Sequence, residues 1–109
     1  MTDKQLVLST ASGEEEARKI ARALVERRLA ACVNIVPRIA SIYRWQGKID
    51  ESGECLLLIK TSSELFPAVR DAIRELHSYD LPECIAVNIA DGSSEYLQWL
   101  EASLACEGD

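Results

Sequence analysis

The chain has 109 residues, 48% of them hydrophobic and 28% charged, with a formal net charge of −6. That length fits one domain over 1–109, about 5–106 of it ordered, able to bury roughly two-thirds of its unfolded surface without disulfides or a structural metal. The acidic balance argues against binding a phosphate backbone, which needs clustered Lys and Arg; it serves solubility or the attraction of cations.

The N-terminal apolar run is too short for a signal-peptide core. No stretch approaches the roughly 20 apolar residues of a membrane span, so the expected location is the cytoplasm. Cys32, Cys55, Cys84 and Cys106 form no C-x-x-C pair. The first three sit in apolar strand-like runs, where a thiol behaves as a small hydrophobe rather than a metal ligand or disulfide half.

In chain order, Gln5–Ala11 reads as a strand. Ser12 followed by Glu14, Glu15 and Glu16 predicts a helix start, with Ser12 as cap and Glu15 closing a capping box. Ala17, Ile20, Ala21, Leu24, Val25 and Leu29 recur at helical spacing and predict its buried face. Arg22, Arg27 and Arg28 suit its C-terminal dipole. From Ala31 to Trp45 the pattern is strand, with Val33, Ile35, Ile39, Ser41, Tyr43 and Trp45 on one parity. Pro37, lacking an N–H, predicts a bulge or an edge.

Gln46-Gly47 begins a turn, and a second strand runs to Thr61. Its "CLLLI" is apolar on both faces, which predicts that both are covered. A helix is expected from Ser62-Ser63 to about His77, with Pro67 in its first turn and Phe66, Val69, Ile73 and Leu76 buried. "SYDLPE" reads as a turn and "CIAVNIA" as a further strand. A last helix, "EYLQWLEASLA", would bury Tyr96, Leu97, Leu100 and Leu104. The final residues, "CEGD", should fray.

The order strand, helix, strand, strand, helix, strand, helix predicts an α+β ferredoxin-like split βαβ sandwich with a C-terminal helix. Each arm of the central hairpin approaches fifteen residues, against a usual strand of about five or six. So long an apolar projection invites aggregation unless a partner covers it, and a second copy of the chain is the simplest cover.

The segments "LAACVNIVPRIASIYRWQGKI", "ECLLLIKT", "LHSYDLPECIA" and "GSSEYLQWL" occur in the order and spacing of the CutA divalent-cation tolerance family, which the chain resembles over nearly its whole length. The resemblance implies a homotrimer whose sheets join edge to edge, a likeness to the PII signalling proteins, and a link to copper and other divalent cations. It places copper ligands at positions held here by Ser9, Leu76 and His77, of which only His77 offers a nitrogen donor.

His77 is the chain's one histidine. It reads either as a helix-end residue beside the last carbonyls or as a metal ligand joined by Glu83 or Asp80. Lys60 ends an apolar run and needs a carboxylate or an anionic ligand, with Glu83 a candidate. Tyr43, Trp45 and Trp99 read either as interface core or as walls of a pocket between subunits. Three functions follow: a cation-responsive trimer that binds metal weakly, a PII-like sensor of a small anion, and an oligomeric scaffold. No nucleophile sits beside a base, so an enzyme is not expected, nor is a required cofactor.

Overall fold

The computed structural model describes residues 2–106. Alternating apolar runs form β1 (Lys4–Ala11), β2 (Cys32–Trp45), β3 (Lys48–Ser62) and β4 (Ile85–Asn88). Periodic segments form α1 (Glu14–Glu26), α2 (Phe66–Leu76) and α3 (Ser94–Ser103). The strands lie in the order β2-β3-β1-β4, each antiparallel to its neighbour. Strands β1 and β2, joined by α1, are thus split by β3, as the ferredoxin-like reading requires.

Register decides which residues meet. Val7, Ser9 and Ala11 pair with Ile59, Leu57 and Cys55 and face one side of the sheet. There they pack on Ala17, Ile20, Ala21 and Leu24 of α1 and on Val69, Ala72 and Ile73 of α2. Each large aliphatic fully buried in this layer contributes about 1.5–3 kcal/mol. Val25, expected on the buried face of α1, is 42% exposed; it lines an open groove between α1 and β2 with Val33 and Ile35.

The helix ends depart from expectation in instructive ways. The cap of α1 is Gly13, not Ser12, which moves the third helical position from Glu15 to Glu16. Glu16 accordingly accepts from the Ser12 N–H and hydroxyl, both at 3.1 Å. At the other end Arg28 takes φ 60°, with Arg28 N–H on the Val25 carbonyl and Leu29 N–H on the Leu24 carbonyl. This paired closure usually employs Gly. The Arg28 guanidinium does not serve α1; it donates to the Ala102 and Ser103 carbonyls that end α3. Helix α2 begins at Phe66 rather than Ser62, because Ser62 extends β3 and its hydroxyl instead accepts the Leu65 N–H.

The hairpin turns through Gln46 (φ 50°) and Gly47 (φ 79°), a two-residue turn whose twist matches the strands it joins. A bulge between Val36 and Ile39 sets two residues, Pro37 and Arg38, against Cys55 alone, one more than the partner strand has, with Arg38 at φ 57°. The bulge overturns the single-parity reading. Val33 and Ile35 face the helices, while Ile39, Ser41, Tyr43 and Trp45 face the opposite side with Val36. Strand β1 stops at Ala11, opposite Cys55. The seven pairs from Ile39–Glu54 to Trp45–Lys48 therefore project with no third strand among the described residues, roughly 23 Å at about 3.3 Å per residue. The molecule is correspondingly long, 44 × 26 × 22 Å.

On the face away from α1 and α2, Leu6, Leu8, Val36, Leu56, Leu58, Ile85 and Val87 line up across all four strands. This chain covers only one end of that face, with α3. Lys4, which shares it, is buried and bonds Asp3 at 2.6 Å and Glu101 of α3 at 2.9 Å. Leu100 and Leu104 are buried against Ala31 and Leu65. Tyr96, expected inside, is 41% exposed. The two-face coverage expected for "CLLLI" is therefore not met within one chain: Cys55, Leu57 and Ile59 are buried, but Leu56 and Leu58 are half-exposed. Of the three cysteines expected in strands, Cys55 is buried in β3, Cys32 is half-buried in β2, and Cys84, half-buried, lies just before β4; burial pushes the Cys84 thiol up, which keeps it protonated and unreactive. The fraying expected of "CEGD" falls mainly on 107–109, outside the described residues.

Candidate functional site

Where α2 ends, the chain crosses to the root of the hairpin, and a cluster of polar contacts fixes that crossing. His77 caps α2, its N–H on the Ile73 carbonyl at 2.9 Å. Its Nε2 lies 2.6 Å from the Thr10 carbonyl oxygen, and its Nδ1 lies 3.0 Å from the Tyr79 N–H. A carbonyl can only accept and an amide N–H can only donate, so Nε2 carries the proton and Nδ1 the lone pair. His77 is thus a neutral brace with both ring nitrogens in use.

Glu16 holds the same crossing from α1, accepting the Ser78 N–H at 2.9 Å as well as both Ser12 donors. Burial pushes its carboxyl pKa up, but the hydrogen bonds from Ser78 and Ser12 outweigh that and lower it to about 2. Tyr79 packs its ring 4.5 Å from His77 and donates its hydroxyl to Glu54 Oε2 at 2.8 Å. Burial, and then Glu54, push the Tyr79 phenol well above its ordinary range.

The braced segment and the hairpin enclose an open depression of about 820 Å³. Asp50, Glu54, Asp80 and Glu83 line it, together with Tyr43, Trp45 and Tyr79, and among the described residues no Lys or Arg does. Glu54 is only 8% exposed. Its one hydrogen bond is to neutral Tyr79, and among the described residues no cation stands within ion-pair distance of it. A buried carboxylate without a counter-charge is costly.

The candidate residues separate into two places. Tyr43, Trp45 and Glu83 line the depression. Lys60 and Trp99 lie at the opposite end of the sheet, joined through Tyr96. The Lys60 ammonium lies 3.2 Å from the Tyr96 hydroxyl and 5.4 Å from its ring centre, and that ring is 5.4 Å from Trp99. Lys60 therefore makes no ion pair with Glu83 inside one chain; its partner is a phenol.

The copper positions do not form a site here. Ser9 is buried on the helix-covered face with its hydroxyl unpartnered, Leu76 offers no donor, and both His77 nitrogens are spent on the backbone. Among the described residues no group of three or more His, Cys, Asp or Glu could hold a metal ion. Sequence reasoning missed Glu54, Asp50, Tyr79 and Glu16. Glu54 could have been found as the one acid directly abutting the apolar "CLLLI"; the other three depend on the loop crossing, which has no periodic signal.

Comparison with known proteins agrees with this architecture. The family model for the CutA1 divalent ion tolerance protein matches residues 5–103. The divalent-cation tolerance protein CutA of Thermus thermophilus is 55% identical over 97 residues, 89% of this chain and 94% of that one. A Thermus thermophilus structure described as divalent cation tolerance protein superposes with a TM-score of 0.92, covering 94% of this chain and 99% of that one at 52% identity. The human protein CutA is 52% identical across 84% of this chain, which spans only 51% of the human protein's length. A structure from Archaeoglobus fulgidus, described as a periplasmic divalent cation tolerance protein, gives a TM-score of 0.89 at 42% identity, covering 92% and 97% of the two chains. With nearly all of its ordered core inside that match, the chain belongs to the CutA1 divalent ion tolerance family.

Proposed function

We propose that this protein serves divalent-cation tolerance, copper included, as a non-catalytic homotrimer that binds cations weakly at its acidic depression. The observation that carries the reading is the lining of that depression: four carboxylates, the largely buried Glu54 among them, and, among the described residues, no Lys or Arg. Such a lining attracts cations and repels anions, which favours this reading over a sensor of anionic metabolites there. The binding is weak because the carboxylates do not converge as a chelating set. Copper, which favours imidazole and thiolate, meets only oxygen donors in this place.

Self-association follows from the apolar sheet face, where Val36, Ile85 and Val87 are 39%, 52% and 47% exposed. A neighbouring copy would bury them along with Leu56 and Leu58 and would give the long hairpin a surface to lie on. The family is named for tolerance rather than for a reaction, and the site has no nucleophile paired with a base. No helix among the described residues is long and apolar enough to cross a membrane; we place the protein in the cytoplasm. The test of cation binding is Mn(II) titration followed by proton relaxation. Broadening at Asp50, Glu54, Asp80 and Glu83 that diminishes in Glu83→Gln is expected; uniform or absent broadening contradicts the reading.

A further inference from the structure

We propose that the segment 78–84, which runs from the end of α2 past the root of the hairpin to β4, is a proton-operated strap triggered by His77. Protonation of His77 exchanges the Tyr79 amide for the Glu16 carboxylate at one ring nitrogen, and the strap lets go from Tyr79 onward. The inference is independent of cation binding at the depression.

The strap is held at few points. Among the described residues three hydrogen bonds fasten 78–84: the Ser78 N–H to Glu16 Oε2 at 2.9 Å, the Tyr79 N–H to His77 Nδ1 at 3.0 Å, and the Tyr79 hydroxyl to Glu54 Oε2 at 2.8 Å. The backbone from Asp80 to Cys84 is neither helix nor strand. Of the three bonds, the second is the one a proton can break.

The His77 side chain is wholly buried. Its Nε2 proton is on the Thr10 carbonyl and its Nδ1 lone pair is on the Tyr79 N–H. A proton added at Nδ1 turns that acceptor into a donor, so two donors face each other at 3.0 Å. A buried imidazolium also needs a counter-charge. Glu16 supplies both the acceptor and the charge. Its Oε1 lies 3.9 Å from the same Nδ1, beyond hydrogen-bond distance in the neutral state. Closing that gap leaves Ser78 on Oε2 and Thr10 on Nε2, so the ring pivots on one retained bond. The two states differ in what happens to the Tyr79 N–H.

The groups around the ring allow the exchange. Helix α1 presents Glu16, the strap presents Tyr79, β3 presents Glu54 behind Tyr79, and β1 presents the uncharged Thr10 carbonyl. Among the described residues no Lys or Arg forms an ion pair with Glu16. Hydrogen bonds keep Glu16 ionised throughout the range in which histidines titrate, and burial keeps the Tyr79 phenol protonated there. Histidine is the side chain that changes charge between about pH 8 and 5. The strap therefore closes at the upper end of that range and opens as pH falls. Its opening carries the Tyr79 hydroxyl off Glu54 and so reaches the hairpin root.

The experiment is nuclear magnetic resonance of the assembled protein from about pH 7.5 to 5. It follows the His77 ring nitrogens and backbone amide exchange, corrected for the intrinsic pH dependence of exchange. Protonation at Nδ1 is expected, with Tyr79 amide protection falling about tenfold at the same midpoint while Ser78 keeps its protection. Glu16→Gln removes the counter-charge and should lower the midpoint by about one pH unit. His77→Gln cannot take the proton and should show no pH dependence at Tyr79. Tyr79→Phe keeps the amide and should keep the switch.

Tyr79 protection that stays constant to the acid end, or a His77 ring that stays neutral there, overturns the proposal in wild type alone. Joint loss of protection at Ser78, Tyr79 and the core of β3 overturns it too, since that is acid unfolding rather than release of the strap. An unmoved midpoint in Glu16→Gln overturns the exchange of partners.

Discussion

Leu57 and Leu58 are neighbours in one strand, yet their surroundings have nothing in common. Leu57 points into the layer built by α1 and α2 and is fully buried. Leu58 points to the face where this chain supplies only α3, at one end, and it is half-exposed. The same alternation runs from Cys55 to Thr61. A strand that is apolar on both faces but covered on one can serve two structures: the domain that folds it and the assembly proposed above. In the proposed assembly, stability of the fold and cohesion of the oligomer rest on alternate residues of β3 and can be altered separately.

Truncating the covered side has the largest expected effect. Leu57→Ala should cost about 2–5 kcal/mol, as for other fully buried leucines, and by the same amount at every protein concentration. Leu58→Ala should cost as much only where the protein is associated, its effect fading on dilution. Urea unfolding across a hundred-fold concentration range checks both. Equal concentration dependence in the two variants would erase the distinction between the faces.

The polar crossing, in contrast to the uncovered face, stabilises the single domain by itself. Glu16 titrates at about 2 in the folded chain against an ordinary 4.5, so between those values the unfolded chain binds more protons. Its contribution is complete above about pH 4.5 and is lost as pH falls through about 2. Glu16→Gln should therefore be less stable than wild type at pH 7 by about 1–3 kcal/mol, and the gap should close toward pH 2. A gap constant with pH, read from urea midpoints, would mean that charge is not what Glu16 contributes.

A smaller loss is expected at Thr61, whose buried hydroxyl donates to the Leu29 carbonyl at 2.6 Å. Thr61→Val conserves shape but leaves that carbonyl unpaired, at about 1–2 kcal/mol. The smallest effect is a gain at the hairpin tip. Gln46 holds φ 50°, which Asn tolerates better, so Gln46→Asn should stabilise by about 0.5 kcal/mol or less. Thermal melts of the two variants should move in opposite directions.

The elements and their order were legible because each is announced by local chemistry: period-two runs for strands, Glu14–Glu16 opening α1, Pro67 in the first turn of α2, Gln46-Gly47 at the turn. Parity beyond Pro37 was not. A bulge of one residue reverses the facing of everything after it, and whether Pro37 ends a strand or kinks one is decided by the partner strand. The site was read in part for a similar reason. Tyr43, Trp45 and Glu83 do share a depression, but Lys60 and Trp99 lie at the other end of the sheet. Their separation is a matter of register, which residue type alone does not carry. His77 was singled out for its rarity, whereas its geometry, with both nitrogens bonded to backbone, makes it a structural brace.

The uncovered face of β3 is the proposed assembly surface. Size-exclusion chromatography with light scattering at micromolar concentration tests it most directly, on wild type and on Leu58→Glu. Three chain masses are expected for wild type and one for the variant, with the variant's far-ultraviolet circular dichroism unchanged. A monomeric wild type, or a Leu58→Glu protein that keeps the wild-type mass, would contradict it.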